Sequence, residues 1–336
     1  MVSLTSQQAV FLSVAVGLAV VGAGAVVLSG PANATAVDQV PDGVDTVVRV
    51  DMAITNDTVT QELARAGLNS TGPMGGPDNL DAVGTEVDSR TDLDPQAISE
   101  VVIFGKVNQS AAESEEEYVG VIVHADWETE EFLESAENDT ESVAPTEYER
   151  TTYNGQTVLE PVGENAADDE WVGVLGDGQF VLGTEAAVTD SIDVATGDAE
   201  RFDGTLRSAY EETAPGLVKF AVTVPENSIP AEQTGGIDTG SYQSVETIAG
   251  SYYTTQTGAG VEVRLGATGT EGAKDVADVT DGALSIGAGT VQNETAKDAL
   301  RAVEVERDGQ VVTVSYEESV DSLEALLRYL YRDQFA

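Results

Sequence analysis

One uncharged stretch, Ala9–Leu28 (AVFLSVAVGLAVVGAGAVVL), constrains this chain more than any other. No charged residue occurs from Met1 to Val37, and all sixty acids and fifteen bases follow, beginning at Asp38. At about 1.5 Å per residue, twenty helical residues span roughly 30 Å, the hydrocarbon thickness of a bilayer. The chain therefore divides into residues 1–36, a signal peptide or transmembrane anchor, and an acidic body. Met1–Gln8 holds neither Lys nor Arg, unlike the basic n-region of an ordinary signal peptide, and this also excludes a twin-arginine signal. Ala34-Thr35-Ala36 supplies a small-x-small motif, which makes Ala36 the candidate cleavage residue. The apolar run exceeds the usual h-region of about 7–15 residues, which speaks for a retained anchor instead. Both readings put the body on the outer face of the membrane.

The body has ample length for a large core. Cysteine is absent, which removes disulfides, thiolate metal sites, cysteine nucleophiles and a lipid-bearing cysteine. The formal charge is −45, and only Lys106, Lys219, Lys274 and Lys297 are lysines. Such a charge repels itself in dilute salt and is screened at molar salt, where the Debye length is about 3 Å. Disorder is the other outcome of high charge, but 41% of residues are hydrophobic and they fall in strand-like runs. The composition resembles that of haloarchaeal proteins: rich in acids, poor in lysine, small in its apolar side chains. Nucleic acid is excluded as a partner, because phosphate binding needs a basic patch. Asn-x-Ser/Thr sequons at Asn33, Asn56, Asn69, Asn108, Asn138 and Asn293 take six of the ten asparagines. They are N-glycosylation candidates on exposed loops, although Thr-rich loops also create sequons without any glycan.

Alternation of β-branched residues predicts a strand over Val44–Met52, and Asn56 and Asp57 cap a helix over Thr58–Leu68. A weaker helix is expected over Asn79–Asp94. Two strands follow, Ile98–Val107 and Glu117–Ala125, then an acidic helix over Trp127–Glu137. Asn154-Gly155 and Asp177-Gly178 predict hairpins within Tyr148–Glu160 and Trp171–Gly183. Helices are expected over Glu185–Val194 and Thr205–Thr213. At Pro215 the pattern restarts with a strand over Gly216–Pro225, a hairpin over Ser241–Thr255 and Gly260–Ala267, and a helix over Thr270–Leu284. A hairpin about Asp308-Gly309 and a helix over Val320–Phe335 close the chain, the latter carrying a stripe of Val320, Leu323, Leu326, Leu327, Leu330 and Tyr331. This is an α+β chain in which an antiparallel-sheet-plus-helices unit occurs twice as a degenerate duplication, over residues 37–214 and 215–336.

The run Leu175–Pro225, with LGDGQFVLGTEAAVTDSIDVATGD, a small helix and then APGLVKFAVTVP, resembles an uncharacterised family of exported bacterial and archaeal proteins, a domain of unknown function. The opening PDGVDTVVRVD and the closing hairpin-plus-helix are similar too. The resemblance implies the repeated α+β architecture and an extracytoplasmic location. It carries no catalytic residues.

Motifs for chemistry are few. The single histidine, His124, ends a strand without a matched nucleophile elbow and reads as a lone surface side chain; one histidine cannot build a zinc site. Asp275, Asp278, Asp281 and Gly282 superficially suggest a calcium loop, but a spacing of three puts the acids on one helical face. The acids of Asp78–Asp94 form a similar solvated cluster. No metal, cofactor or catalytic residue is assigned. The expected function is a non-enzymatic, membrane-anchored or secreted halophilic surface protein, bound to a surface protein or glycan or serving the envelope structurally. The alternatives are a secreted hydrolase using paired carboxylates and an accessory or inhibitor-like module for another exported protein.

Overall fold

The computed structural model describes residues 35–70, 93–106, 118–137, 147–163, 170–225, 233–234 and 237–334. The apolar stretch Ala9–Leu28, the sequons Asn33, Asn108 and Asn138, and nearly all of the helix expected over Asn79–Asp94 lie outside them. A 3₁₀ turn, Ala36–Gln39, opens the described chain, followed by β1 (Thr46–Asp51), a second 3₁₀ turn (Met52–Thr55) and α1 (Thr58–Ser70). Next come β2 (Ile98–Gly105), β3 (Val119–Ala125), α2 (Thr129–Glu137), β4 (Glu147–Tyr153) and β5 (Gln156–Val162). Then follow β6 (Trp171–Gly176), β7 (Gln179–Gly183), α3 (Glu185–Thr196), α4 (Gly204–Glu211) and β8 (Val218–Thr223). After two short paired strands, β9 (Gln233–Thr234) and β10 (Ile237–Asp238), the chain runs through β11 (Val245–Thr254), β12 (Gly258–Ala267), α5 (Gly269–Thr290) and α6 (Glu294–Ala302). It closes with β13 (Glu304–Asp308), β14 (Val311–Ser319) and α7 (Val320–Gln334). The class is α+β, with extensive antiparallel sheet. Among the described residues no helix is long and apolar enough to cross a membrane.

The chain forms two compact units. The first takes in the described residues of 35–56 and 93–203, and its strands lie in the order β1-β2-β3-β7-β6-β5-β4. Asn154-Gly155 joins β4 to β5 with both residues at positive φ (45° and 82°), the turn whose twist matches a two-residue hairpin. One face of this sheet presents Leu159, Val172, Val174 and Phe180 to Phe132 and Leu133 of α2. There the Phe132 and Phe180 rings stack at 3.9 Å, with Trp127 5.8 Å from Phe132. Gly173 faces the other way, where a Cβ would meet Val188 and Ile192 of α3. Thr184 caps α3 by accepting from the Ala187 N–H, and Gly197 ends it at φ 85°, a backbone conformation that glycine adopts without strain.

Gly183 has φ 148°, and a Cβ there would overlap the Val119 carbonyl oxygen. The Thr184 N–H donates to that same oxygen at 3.0 Å, so the backbone cannot yield. Gly183→Ala is therefore expected to destabilise the first unit by about 3 kcal/mol or more. Equilibrium urea unfolding checks this; an unchanged midpoint would contradict it.

The second unit takes in the described residues of 57–70 and 204–334, with strand order β8-β11-β12-β14-β13. Val245, Ala267 and Val312 of its sheet pack beneath Ala273 and Val276 of α5. α4 packs on β8 and β11 through the buried Leu206 and Tyr210. The units therefore divide the chain differently from the expected boundary at 214/215. α4 groups with the strands it covers, and α1 lies against α7. Thr60 and Tyr252 share a hydrogen bond of 2.9 Å, and the Thr254 hydroxyl donates to Asp57 at 2.9 Å. α5 runs six residues beyond the expected end at Leu284, and α6 follows it, capped by Asn293.

Candidate functional site

Strand register brings the most unusual polar group together on one face of the first unit's sheet. β1 pairs Asp51 with Glu100 of β2, β2 pairs Glu100 with His124 of β3, and β3 pairs His124 with Gln179 of β7. Directly opposed residues share a face with Cβ atoms about 5 Å apart, so Asp51, Glu100, His124 and Gln179 form a row. A break in register between Ile98 and Glu100 places Glu100 opposite His124. Ser99, the extra residue there, donates its hydroxyl to the His124 carbonyl at 3.0 Å. A bulge of this kind re-aims the next side chain.

Glu100 is 6% exposed. Its Oε1 accepts from the Nε of Arg49, and its Oε2 accepts from the Ala36 backbone N–H at 2.6 Å. Arg49 also reaches Asp51 Oδ2 at 3.1 Å, and Asp51 Oδ1 accepts from the Ala53 N–H at 2.9 Å, capping the second 3₁₀ turn. Gln39 lies over the far end of the row and donates from Nε2 to Oε1 of Gln179. The buried Gln39 Oε1 has no hydrogen-bond partner among the described residues. His124 is half-buried rather than on the surface, and its imidazole makes no hydrogen bond or ion pair among the described residues. Both oxygens of Glu100 are engaged, one by a cation and one by the main chain. The row thus works as a clasp that holds the N-terminal 3₁₀ turn, Ala36–Gln39, onto the sheet.

Three other groups stand out. At the β4–β5 turn, Asn154 Nδ2 donates to Asp193 (3.2 Å), Thr196 (2.9 Å) and Asp198 (2.6 Å), while Tyr153 donates to Asp193 at 3.1 Å. This ties the hairpin tip to the C-terminal end of α3. In the second unit a cleft of about 590 Å³ is lined by Glu212, Arg264, Glu306, Arg307, Asp308 and Thr313. Arg264 is paired there with Glu212 at 2.7 Å. The third group is Glu170, just before β6, whose carbonyl accepts from the Tyr148 hydroxyl at 3.0 Å.

Burial pushes the Glu170 carboxyl up to about 7. With the folded pKa raised above the unfolded one, stability is full below about pH 4.5 and falls as pH rises through about 7. Glu170→Gln removes that dependence. The variant is expected to match the wild type near pH 4.5 and to exceed it by about 2 kcal/mol at pH 8. Urea midpoints of the two proteins at both pH values test this, and equal differences at the two would contradict it. Burial, and the Asp190 carboxylate that accepts from its hydroxyl at 2.9 Å, likewise hold the Tyr118 phenol far above its ordinary range.

The structure separates most of the sequence's candidate residues. Asn56 is exposed directly after the second 3₁₀ turn, and Asn69 lies in α1. Asn293 is half-buried, its Oδ1 accepting from the Ala296 N–H at 3.0 Å. Ala36 is fully buried. Asp275, Asp278 and Asp281 lie exposed along α5, with Asp278 paired to Lys274 at 2.7 Å. Among the described residues no three His, Cys, Asp or Glu side chains converge as a metal site. Reading the sequence alone missed Arg49 and Glu100. The available signal was an arginine and a glutamate set among β-branched and apolar residues of two strands, TVVRVD and ISEVVIFG.

No family model matches this chain, and no curated protein matches it. Among solved structures it is similar to TP0453 in several crystal forms. Crystal form III superposes with a TM-score of 0.41 at 10% identity, over 87% of this chain and 97% of that one. Form I gives 0.40 at 10% identity over 90% and 100%. Form IV gives 0.43 at 9% identity over 87% and 96%.

Proposed function

We propose that this chain is a non-enzymatic, extracytoplasmic surface protein of a high-salt setting, membrane-anchored or secreted, with a binding or envelope-structural role. The observation that carries the reading is the segregation of charge. An uncharged run long enough to span a bilayer precedes a body that holds all sixty acids against fifteen bases. Packing in that body is well developed, with Phe104, Phe180, Phe202, Ile122, Leu133 and Leu159 among its fully buried side chains. A chain so acidic yet so fully packed suits a solvent that screens its surface.

The body reads as a degenerate duplication. Each unit runs strand, hairpin, helix, hairpin, helix: β1, β2–β3, α2, β6–β7, α3 in the first and β8, β11–β12, α5, β13–β14, α7 in the second. Strand orders agree, β1-β2-β3-β7-β6 against β8-β11-β12-β14-β13. The β4–β5 hairpin is then an addition to the first copy, and α1, α4, β9–β10 and α6 are additions to the second. In this reading the unit is a scaffold, and exposed asparagines such as Asn56 are positions for glycan.

Protease shaving of intact cells at native salt tests the location. The body should be digested while a cytosolic protein in the same cells stays whole. A body protected until the cells are lysed would overturn the reading.

A further inference from the structure

The strand registers of the two units share a landmark. Ile98 of β2 faces Ala125 and, past a break in register, Glu100 faces His124; Val245 of β11 faces Ala267 and, past the same break, Thr247 faces Gly266. Counted from there, the row Ile122, Val181 and Gly173 on β3, β7 and β6 corresponds to Arg264, Thr313 and Glu306 on β12, β14 and β13. In the first unit this row is core. Ile122 and Val181 are 0% exposed, and Gly173 makes room for Val188 and Ile192 of α3. In the second unit the helix after the matching strand goes elsewhere. β7 ends at Gly183, which corresponds to Ser315, whereas β14 continues to Ser319, with Tyr316–Ser319 paired to Gly258–Val261 of β12. Four more residues carry the start of the helix about 13 Å along the sheet, and α7 lies against α1 and α6. The place that α3 fills is left as the cleft of about 590 Å³, and no described residue of α7 lines it.

The floor of this cleft is polar where the first unit is apolar. An apolar occupant would strand charged groups without partners. Bases are scarce, fifteen against sixty acids, yet Arg264 and Arg307 both line the cleft, among Glu212, Glu306 and Asp308. Arg264 is held by Glu212 at 2.7 Å, with side-chain exposures of 22% and 59%. Glu212 can therefore turn to solvent and yield the guanidinium to a ligand carboxylate, in the bidentate pairing that suits it. Arg307 donates to the Gly309 carbonyl at 3.3 Å, at the β13–β14 turn. A simple anion would meet three carboxylates here. A simple cation finds acids over the whole surface and leaves both guanidiniums unmatched. A ligand bearing both charges satisfies the two sets together. Arg264 and Glu306 stand two strands apart, about 10 Å at the backbone, and long side chains from both sides close that span on a small molecule. The volume is in the range of small-molecule sites.

We infer that this cleft binds a small zwitterion of the amino-acid or short-peptide class, its carboxylate on Arg264 and its ammonium on Glu306 and Asp308. The inference rests on the binding form of the proposed role and gives it a ligand class; it does not depend on location, so protease shaving and the following test fail separately. The test is saturation-transfer NMR of the methyl signals of alanylalanine, with the full chain in detergent at molar KCl. Partly buried pairs are screened less than exposed ones, so binding is expected to survive the salt. Affinity should fall about tenfold or more for the C-terminal amide and for the N-acetyl form, each of which lacks one charge. Arg264→Gln and Glu306→Gln should each weaken alanylalanine binding to a similar degree, with circular dichroism melts showing that the variants are folded. Glu306 is exposed, so Glu306→Gln decides the matter even where Arg264→Gln perturbs the fold. No transfer to alanylalanine at about 10 mM would overturn the inference. So would equal binding of the amide, which reports the acidic surface alone, or wild-type affinity in Glu306→Gln.

Discussion

Glu100→Ala should loosen the first unit well before any change on its outer surface does. The substitution takes away the carboxylate that Arg49 and the Ala36 N–H both use. Breaking a fully buried ion pair from one side costs about 3–5 kcal/mol. Arg49 is 20% exposed and keeps Asp51 at 3.1 Å, which places the expected loss nearer the lower end, at about 3 kcal/mol. Glu100→Gln keeps the shape and one acceptor for Ala36 while losing the charge. It should cost about half as much, in line with hydrogen bonds to charged groups. Both tryptophans, Trp127 and Trp171, lie in the first unit, so their fluorescence during urea unfolding reports on this unit alone. Midpoints in the order wild type, Glu100→Gln, Glu100→Ala are expected. If Glu100→Ala unfolds with the wild-type midpoint, the clasp does not stabilise the fold.

Local chemistry made much of the fold legible. Asn154-Gly155, Asp177-Gly178 and Asp308-Gly309 each place glycine at positive φ in a hairpin turn. Thr184, the threonine just before the helix expected from Glu185, caps α3, and the strand and helix order follows the switches of period along the chain. What stayed hidden depends on pairing between distant segments. The Thr60–Tyr252 bond spans 192 positions, and no local pattern tells α1 that it belongs with α7. His124 read as isolated because its row is assembled by strand register across β2, β3 and β7, and by a bulge at Ser99 that no local motif marks. Asn293 stood out as a sequon, yet its oxygen is the cap of a helix that the reading of the sequence did not separate from its surroundings.

Salt carries the largest expected effect. Two carboxylates 10 Å apart in water repel by about 0.4 kcal/mol, and a net charge of −45 multiplies such pairs across the surface. Described ion pairs such as Lys274–Asp278, Arg207–Glu211 and Lys297–Glu294 are largely solvent-exposed on at least one side, and pairs of that kind contribute about 0–1 kcal/mol each. The uncompensated repulsion therefore rivals the whole stability of an ordinary domain, about 5–15 kcal/mol. At molar ionic strength the Debye length of about 3 Å removes it, while hydrophobic burial is untouched or strengthened. The measurement is circular dichroism of the body from Thr35 onward, melted in dilute buffer and in steps up to molar KCl. The account predicts a cooperative transition at high salt that moves down by roughly 10 °C or more as salt is withdrawn, with the folded signal lost in dilute buffer. A melting temperature independent of salt would contradict it and remove the reason for placing this protein in a saline exterior.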